Sequence, residues 1–303
     1  MKGSMRITAV VFIVLANLLG GLTYLAQDQA LAGLPFATIT FGRNLVALLL
    51  MAALMQRTGG ITWRYPRADF LRLTLLGIVA YALPLLLGTL GTEWSTPANG
   101  SILILLEPCA ILVFARILLG EHVRRLQMLG ISFGFAGGLF IVLNDAPVDS
   151  LLEGQHLRGN LLLALHAVLW GLYSPLMKPL AMRYRAMDVT FMSMVLAQVL
   201  LIPAMLAESD SWGNSPQLMP ALWWTLALGL GGSFAATLLW TASLKHLKAS
   251  TVAPFVFLQP VAGVLGAALW LDKPVTSAAL LGGALIAGGV VCVILKPRTR
   301  SAT

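Results

Sequence analysis

The chain has 303 residues, of which 58% are hydrophobic and 11% are charged. Soluble proteins carry about 25% charged residues, so this composition excludes a soluble globular protein and predicts an integral membrane protein in contact with the lipid bilayer. The net charge of +8 does not indicate nucleic-acid binding, because the basic residues are dispersed among short polar breaks and form no recognition motif.

Ten apolar runs, each about 20 residues long, follow one another along the chain. A helix of that length crosses the hydrocarbon core of a bilayer, and a helix satisfies all of its own backbone hydrogen bonds there. We therefore predict an all-α integral membrane protein with ten transmembrane helices. The runs are 6–26, 35–55, 70–90, 97–118, 125–144, 159–180, 187–207, 219–243, 250–271 and 275–295.

Basic residues lie mainly on one side of this arrangement. If the N-terminus is cytoplasmic, 17 of the 20 Lys and Arg residues fall on the cytoplasmic side. Arg158 and Lys273 fall on the outer side, and Arg43 lies within a run. Cytoplasmic loops carry the excess of basic residues, so this distribution predicts a multi-pass protein with both termini in the cytoplasm.

The fourth and ninth runs repeat one pattern. Glu107 and Pro108 lie in the middle of the fourth run, and Gln259 and Pro260 occupy the same positions of the ninth, 152 residues later. Proline has no amide hydrogen to donate, and a charged side chain at this depth costs about 2.5–3.5 kcal/mol. We predict that Pro108 and Pro260 break their helices or form a gate, and that these positions face protein or a water-filled cavity.

This internal repeat divides the chain into two halves, which we place at residues 1–150 and 151–303. Each half contains five predicted helices. Since five is an odd number, the second half enters the membrane from the opposite face, and the two repeats are predicted to be inverted. Inverted repeats are a common architecture of carriers that work by alternating access.

Several segments are similar to one known family. The fourth run ends in LEPCAILVFARILLGE at Glu121 and is followed by LGISFGFAGGLFIVL, and the ninth contains LQPVAGVLGAALWLD. The second run contains FGRNLVA around Arg43, and the sixth contains LWG at residues 169–171. In this order the segments resemble EamA-type transporters of the drug/metabolite transporter superfamily. Two positions depart from the repeat, because Met194 stands nearest to the counterpart of Arg43 and Asp272 is one residue out of register with Glu121.

The resemblance extends to bacterial exporters of aromatic amino acids. It implies a secondary transporter of the bacterial inner (plasma) membrane that exports aromatic and other neutral amino acids. Export of other small metabolites or cationic drugs, and a channel, are the alternatives; the sequence has no filter-like repeat that would favour a channel. We expect no enzyme activity, no cofactor and no metal, because the sequence carries no catalytic, nucleotide-binding or metal-ligand motif.

Residues near the middle of the runs are the candidates for substrate binding. Tyr81 and Trp170 can provide a wall for an apolar side chain, and the interrupted helices can provide backbone dipoles for the charged ends of an amino acid. Packing between helices is the alternative role of both rings. The predicted substrate-binding residues are Asn17, Tyr81, Pro84, Trp170 and Gln259.

The other seven tryptophans lie near the ends of the runs. Tryptophan is enriched at the membrane interface, so we interpret these residues as interface anchors. They are Trp63, Trp94, Trp212, Trp223, Trp224, Trp240 and Trp270.

Arg43 and Glu107 are predicted to be charged residues buried in the membrane. Both lie about ten positions into runs that begin on the outer side, so their depth is similar and they can pair. Such a pair would be structural or part of a proton or substrate switch, whereas an unpaired Arg43 would bind backbone carbonyls or extend to the interface. For His166, a packing role between helices and a role as a proton relay are both open.

Glycines are concentrated in the fifth and tenth runs at spacings that allow two helices to approach closely. Close packing of these runs predicts either a rigid scaffold within one chain or a dimer face, so a monomer and a homodimer both stay open. The glycines are Gly130, Gly134, Gly138, Gly282, Gly283, Gly288 and Gly289.

Overall fold

Helices make up nearly all of the chain that the computed structural model describes, which is residues 2–145, 154, 156–212, 215–270 and 275–294. The predicted boundary between residues 150 and 151, Asp272 and the C-terminal segment 295–303 lie outside these ranges. The helices are α1 Lys2–Leu31, α2 Phe36–Arg57, α3 Arg67–Glu93, α4 Pro97–Leu103, α5 Glu107–Leu119, α6 Arg125–Asp145, α7 Leu157–Arg183, α8 Ala186–Leu206, α9 Leu218–Leu244, α10 Ala249–Trp270 and α11 Ser277–Ile294.

Nine of these helices, all except α4 and α5, are long and apolar enough to cross a membrane, counting only the described residues. The protein is therefore an all-helical membrane protein. The predicted fourth run is helical as well, but it consists of α4, a 3₁₀ segment at Ile104–Leu106 and α5. The prediction of ten crossings counts these consecutive pieces as one crossing.

A 3₁₀ segment ends two or three residues before each of the two prolines at which we predicted a helix break. Ile104–Leu106 comes before Glu107 and Pro108, and Ala253–Phe257 comes before Gln259 and Pro260. The cause is local, because Pro108 and Pro260 have no amide hydrogen for the carbonyl four residues earlier and the backbone tightens instead.

Two π-helical segments were not predicted from the sequence. Ile78–Ala82 interrupts α3, and Leu228–Ala236 interrupts α9. They occupy corresponding positions of the two repeats, since Tyr81 and Ser233 are 152 residues apart. Pro84, just after the first segment, cannot bond to the carbonyl of Ala80, which favours a wider turn there. Single π turns inside helices are frequent at functional sites.

The main contacts between helices are symmetric. Where two helices pack together, their counterparts in the other half of the chain pack together as well. Helix α1 packs against α9 and α10, and α7 packs in the same way against α3 and the α4–α5 segment. Likewise α2 packs against α9, and α8 against α3. In the pairs α2 with α8 and α6 with α11, each helix packs against its own counterpart. The core therefore lies between the two halves of the chain.

Glycine packing inside the chain explains the stripes of small residues. A Cβ atom on Gly137 would stand 2.5 Å from the carbonyl oxygen of Gly282, and one on Gly282 equally close to the carbonyl oxygen of Gly137. The contact joins α6 to α11 within one chain, so these glycines are not available for a dimer face. Gly283 and Gly288, in contrast, have open space where a Cβ would stand.

Two carboxylates bind the beginnings of helices from across the protein. Glu208 accepts hydrogen bonds from the backbone amides of Ala37 and Thr38 at the start of α2, at 3.0 and 2.8 Å. Glu121 accepts bonds from the amides of Ala249 and Ser250 at the start of α10, at 3.2 and 2.8 Å. A negative charge at a helix N-terminus satisfies free amides and complements the helix dipole, so each carboxylate joins two distant segments.

Candidate functional site

A cavity of about 870 Å³, including the part that opens to solvent, lies between the two halves of the chain. Helices α1, α2, α3 and α5 of the first half and α7, α9 and α10 of the second all contribute to it. Its lining residues are Ala16, Gly20, Thr23, Tyr24, Gln27, Arg43, Tyr81, Leu85, Gly88, Glu107, His166, Trp170, Tyr173, Gly232, Ser233, Ala236, Thr237, Trp240 and Gln259.

Aromatic rings form one wall of this cavity. The ring centroid of Trp170 lies 5.7 Å from that of Tyr81 and 5.6 Å from that of Tyr173, with tilted planes. The ring of His166 stacks on Trp170 at 6.3 Å. Aromatic pairs prefer such offset or tilted arrangements, and all four rings are among the residues that line the cavity. The structure therefore brings the two predicted rings, Tyr81 and Trp170, into contact at the cavity.

His166 is held in one orientation. Its Nδ1 atom lies 2.6 Å from the carbonyl oxygen of Pro84. A carbonyl oxygen can only accept, so Nδ1 carries the hydrogen and donates it. This bond uses a backbone carbonyl next to the π segment of α3, and it joins α3 to α7 beside the aromatic wall. Pro84 itself does not line the cavity and contributes through this carbonyl.

Arg43 is buried at the cavity and contacts the second π segment. Only 6% of its surface is exposed, and its Nε atom donates a hydrogen bond of 2.9 Å to the hydroxyl of Ser233. Gly232 makes room for the guanidinium, because a Cβ atom there would stand 2.6 Å from Nη2. The structure gives neither Nη group a hydrogen-bond acceptor from the described part of the chain, and Arg43 lines the cavity.

Glu107 lines the same cavity as the first residue of α5, and 2% of its surface is exposed. Its Oε2 atom is buried and has no hydrogen-bond partner among the described residues. The proposed pairing of Arg43 with Glu107 is wrong, because no ion pair joins the two. Both residues line the cavity, as their equal depth suggested, but their charged groups are not in contact.

Gln259 and Asn17 are bonded to each other near the midplane. The Gln259 Nε2 atom donates to Asn17 Oδ1 at 3.3 Å, and Asn17 Nδ2 donates to the carbonyl oxygen of Ile13 at 2.8 Å. Gln259 lines the cavity, whereas Asn17 is fully buried behind it. Of the five predicted substrate-binding residues, Tyr81, Trp170 and Gln259 therefore border the cavity, and Asn17 and Pro84 support it.

Trp240 was interpreted as an interface anchor, and this was wrong. It lines the cavity, and its indole Nε1 donates a hydrogen bond of 2.8 Å to Ser174 Oγ. Nearby, the hydroxyls of Tyr173 and Thr241 are 3.0 Å apart, and Lys178 Nζ donates to the carbonyl of Leu247 at 2.8 Å. These bonds join α7 to α9 and to the turn that follows α9.

Several polar residues that line the cavity were not predicted from the sequence. Three of them lie on α1, one lies in the π segment of α9 and one follows that segment directly. For Ser233 the signal is its position 152 residues after Tyr81; the other four carry no such signal. No group of three or more potential metal ligands occurs in the part of the chain that the structure describes. These lining residues are Thr23, Tyr24, Gln27, Ser233 and Thr237.

Comparison with known proteins places these observations in a family context. The model of the EamA-like transporter family matches residues 7–143 and again residues 157–295. The two matches cover most of the chain, and each contains one proline-broken helix and one π segment.

Curated relatives and a solved structure give more distant similarities. The chain is 27% identical over 275 residues to a protein of Streptantibioticus cattleyicolor named "Probable terminal-alkyne amino-acid exporter", covering 88% of this chain and 85% of that protein. It is 26% identical over 254 residues to YyaM of Bacillus subtilis, named an uncharacterized transporter, covering 81% and 82%. A crystal structure with 20% identity aligns over 96% of both chains with a TM-score of 0.75, which shows a shared fold.

Proposed function

Because this chain belongs to the EamA-like transporter family, we propose that it is a secondary transporter that exports aromatic and other neutral amino acids across the bacterial inner membrane. The family and the relatives are transporters, so the protein is a transporter and not an enzyme. The substrate class and the direction of transport are the proposal.

The observation that carries the proposal is the aromatic-walled cavity between the two halves. It combines aromatic and apolar walls with a few polar side chains, as small-molecule sites do. Contact with the rings of Tyr81, Trp170 and Tyr173 would stabilise an aromatic side chain by about 0.5–1.5 kcal/mol beyond area burial. This preference would still admit smaller neutral side chains.

Two similarities support amino acids as the substrate class. The Streptantibioticus cattleyicolor relative is named "Probable terminal-alkyne amino-acid exporter", so its printed substrate is an amino acid. The motifs quoted above are also similar to those of the bacterial aromatic amino-acid exporter YddG. We extend both similarities to this chain as part of the proposal.

We further propose ten membrane crossings in two inverted repeats, with the α4–α5 segment as the fourth crossing. The interchangeable helix contacts support this arrangement, as do the glycine contacts between α6 and α11, which run antiparallel to each other. Alternating access would then occur by motion of one repeat against the other around the cavity. The distribution of basic residues supports two cytoplasmic termini.

Transport by the purified full chain in proteoliposomes tests the proposal. Radiolabelled phenylalanine should be taken up in a saturable manner, and unlabelled tryptophan should compete better than alanine or ethidium. Uptake with and without a pH gradient shows whether protons are coupled to it. Competition without preference for aromatic amino acids would refute the substrate class, and large single-channel currents in planar bilayers would refute a carrier.

A further inference from the structure

The geometry points to a pair of charged residues that bind the two ends of one substrate: Arg43 binds the carboxylate of an α-amino acid, and Glu107 binds its ammonium group. This inference rests on the proposed function and deepens it, because it replaces backbone dipoles with two named side chains. It also assigns a reason for two opposite charges in one cavity without an ion pair between them.

Arg43 is arranged as an incomplete carboxylate site. Its Nε atom is fixed by the hydroxyl of Ser233, and the missing Cβ of Gly232 leaves room for the guanidinium. The two Nη groups have no acceptor within the described residues, and Arg43 borders the cavity. An arginine presents a planar fork that matches a carboxylate with two parallel hydrogen bonds. The group that completes this site is therefore a carboxylate of the substrate.

Glu107 lacks a hydrogen-bond donor, just as Arg43 lacks an acceptor. Its side chain is 2% exposed, and the buried Oε2 atom lacks a donor among the described residues. A buried carboxylate without a partner is strongly unfavourable, whereas an ammonium group offers three donors and an opposite charge.

The two sites favour one zwitterion over separate ions or a simple cation. A cationic amine would satisfy Glu107 but would place its charge in a cavity that already contains Arg43. A carboxylate without an ammonium group would satisfy Arg43 but would place its negative charge in a cavity that already contains Glu107. Only a molecule that carries both charges, as every α-amino acid does, satisfies both residues and leaves the cavity neutral. The aromatic wall then receives the side chain, so a cationic drug is the less suitable substrate.

Analogues that each lack one charge test the inference on the unmodified chain. Binding of radiolabelled L-phenylalanine to the protein in nanodiscs is competed with L-phenylalanine, 2-phenylethylamine and 3-phenylpropionate. Because a buried charge is left unpaired in each case, we expect both analogues to compete at least about 30-fold more weakly. Equal competition by either analogue overturns the inference while the proposed function stands. Failure of labelled phenylalanine to bind refutes the proposed function itself.

Two substitutions assign the charges to their residues. In Glu107→Gln, the disadvantage of 3-phenylpropionate relative to phenylalanine should fall roughly tenfold while that of 2-phenylethylamine persists. In Arg43→Gln the opposite change is expected. Glu208→Gln removes a carboxylate remote from the cavity and should leave both ratios unchanged. A parallel loss of affinity for all three ligands in both variants would overturn the assignment, and the analogue series does not depend on either variant folding.

Discussion

Gly130 and Gly289 hold two helices in backbone contact. A Cβ atom on Gly130 would stand 2.8 Å from the carbonyl oxygen of Gly289, and one on Gly289 would stand 2.6 Å from the carbonyl oxygen of Gly130. Gly137 and Gly282 meet in the same way. Gly282 and Gly289 are the counterparts of Gly130 and Gly137. Exchange of the two repeats therefore converts the contact of Gly130 with Gly289 into that of Gly137 with Gly282.

Adjacent glycines in α11 allow a matched test of this contact. Gly282→Ala places a methyl group 2.5 Å from the carbonyl oxygen of Gly137, whereas Gly283→Ala places it in open space. Overpacking of this kind typically costs about 1–3 kcal/mol. We therefore expect thermal unfolding in detergent to occur at a clearly lower temperature for Gly282→Ala than for Gly283→Ala. Equal midpoints for the two variants would show that α6 and α11 are not in contact.

Trp170→Ala should change substrate preference. Loss of the ring removes stacking worth about 0.5–1.5 kcal/mol, so we expect the transport ratio of phenylalanine to alanine to fall about 2- to 10-fold. Competition uptake in proteoliposomes measures the ratio. Trp223→Ala is the control, because 65% of that side chain is exposed and it does not line the cavity.

A packing role for Trp170 predicts a different result. All substrates would then lose transport equally, together with protein yield, and the idea of an aromatic binding wall would have to be abandoned.

Pro108→Ala and Pro260→Ala should lower transport while membrane insertion survives. Each substitution restores an amide donor and lets the preceding 3₁₀ segment return to an α-helix, which changes the shape of the cavity beside Glu107 or Gln259. Initial transport rates per inserted molecule are the measurement. Pro203→Ala, at an exposed position of α8, should have no effect. If both cavity variants transport at the parental rate, the breaks have no role in transport.

The predicted topology can be measured by cysteine labelling in a background without Cys109 and Cys292. Cysteines at Asp28 and Asp210 should react with a membrane-impermeant maleimide added to intact cells, because these residues are expected outside. Cysteines at Arg64 and Lys248 should react only after lysis. Labelling of either basic position from outside would refute the count of ten crossings.

Glu121→Gln should destabilise the folded protein by about 0.5–2 kcal/mol, since it weakens a charged cap on two backbone amides at the start of α10. Unfolding monitored by thermal denaturation in detergent gives the difference. The exposed acid Asp210 provides the control, because in the structure it bonds no helix start, and Asp210→Asn should leave the midpoint unchanged. A loss as small as that of the control would mean that the cap is replaced by water.

The sequence predicted the helices well because the bilayer imposes the same requirement on every crossing. Apolar length and internal hydrogen bonding leave few alternatives, so the predicted runs and the helices agree closely. The repeated proline identified the 3₁₀ segments for a similarly local reason. Both signals are carried by residues adjacent in sequence.

The arrangement of the site was less accessible from the sequence. Position along a run gives the depth of Arg43 and Glu107 but not the direction in which each helix points them, so the pairing was wrong. Trp240 lies near the end of its run, yet α9 turns it to the cavity. The π segment that precedes Trp240 in α9 has no sequence signal as clear as a proline. Ser233 could have been recognised only from its spacing of 152 residues from Tyr81.

The π segments at Ile78–Ala82 and Leu228–Ala236 have a mechanical consequence. A π turn can migrate by one residue when one backbone bond is exchanged for its neighbour, so the number of bonds along the helix stays constant. Residues that the turn passes rotate about the helix axis by roughly 100°, the angle between successive residues of an α-helix. Tyr81 and Ser233 lie within these turns. The two helices can thus turn one set of side chains away from the cavity and another toward it while both remain helical from end to end.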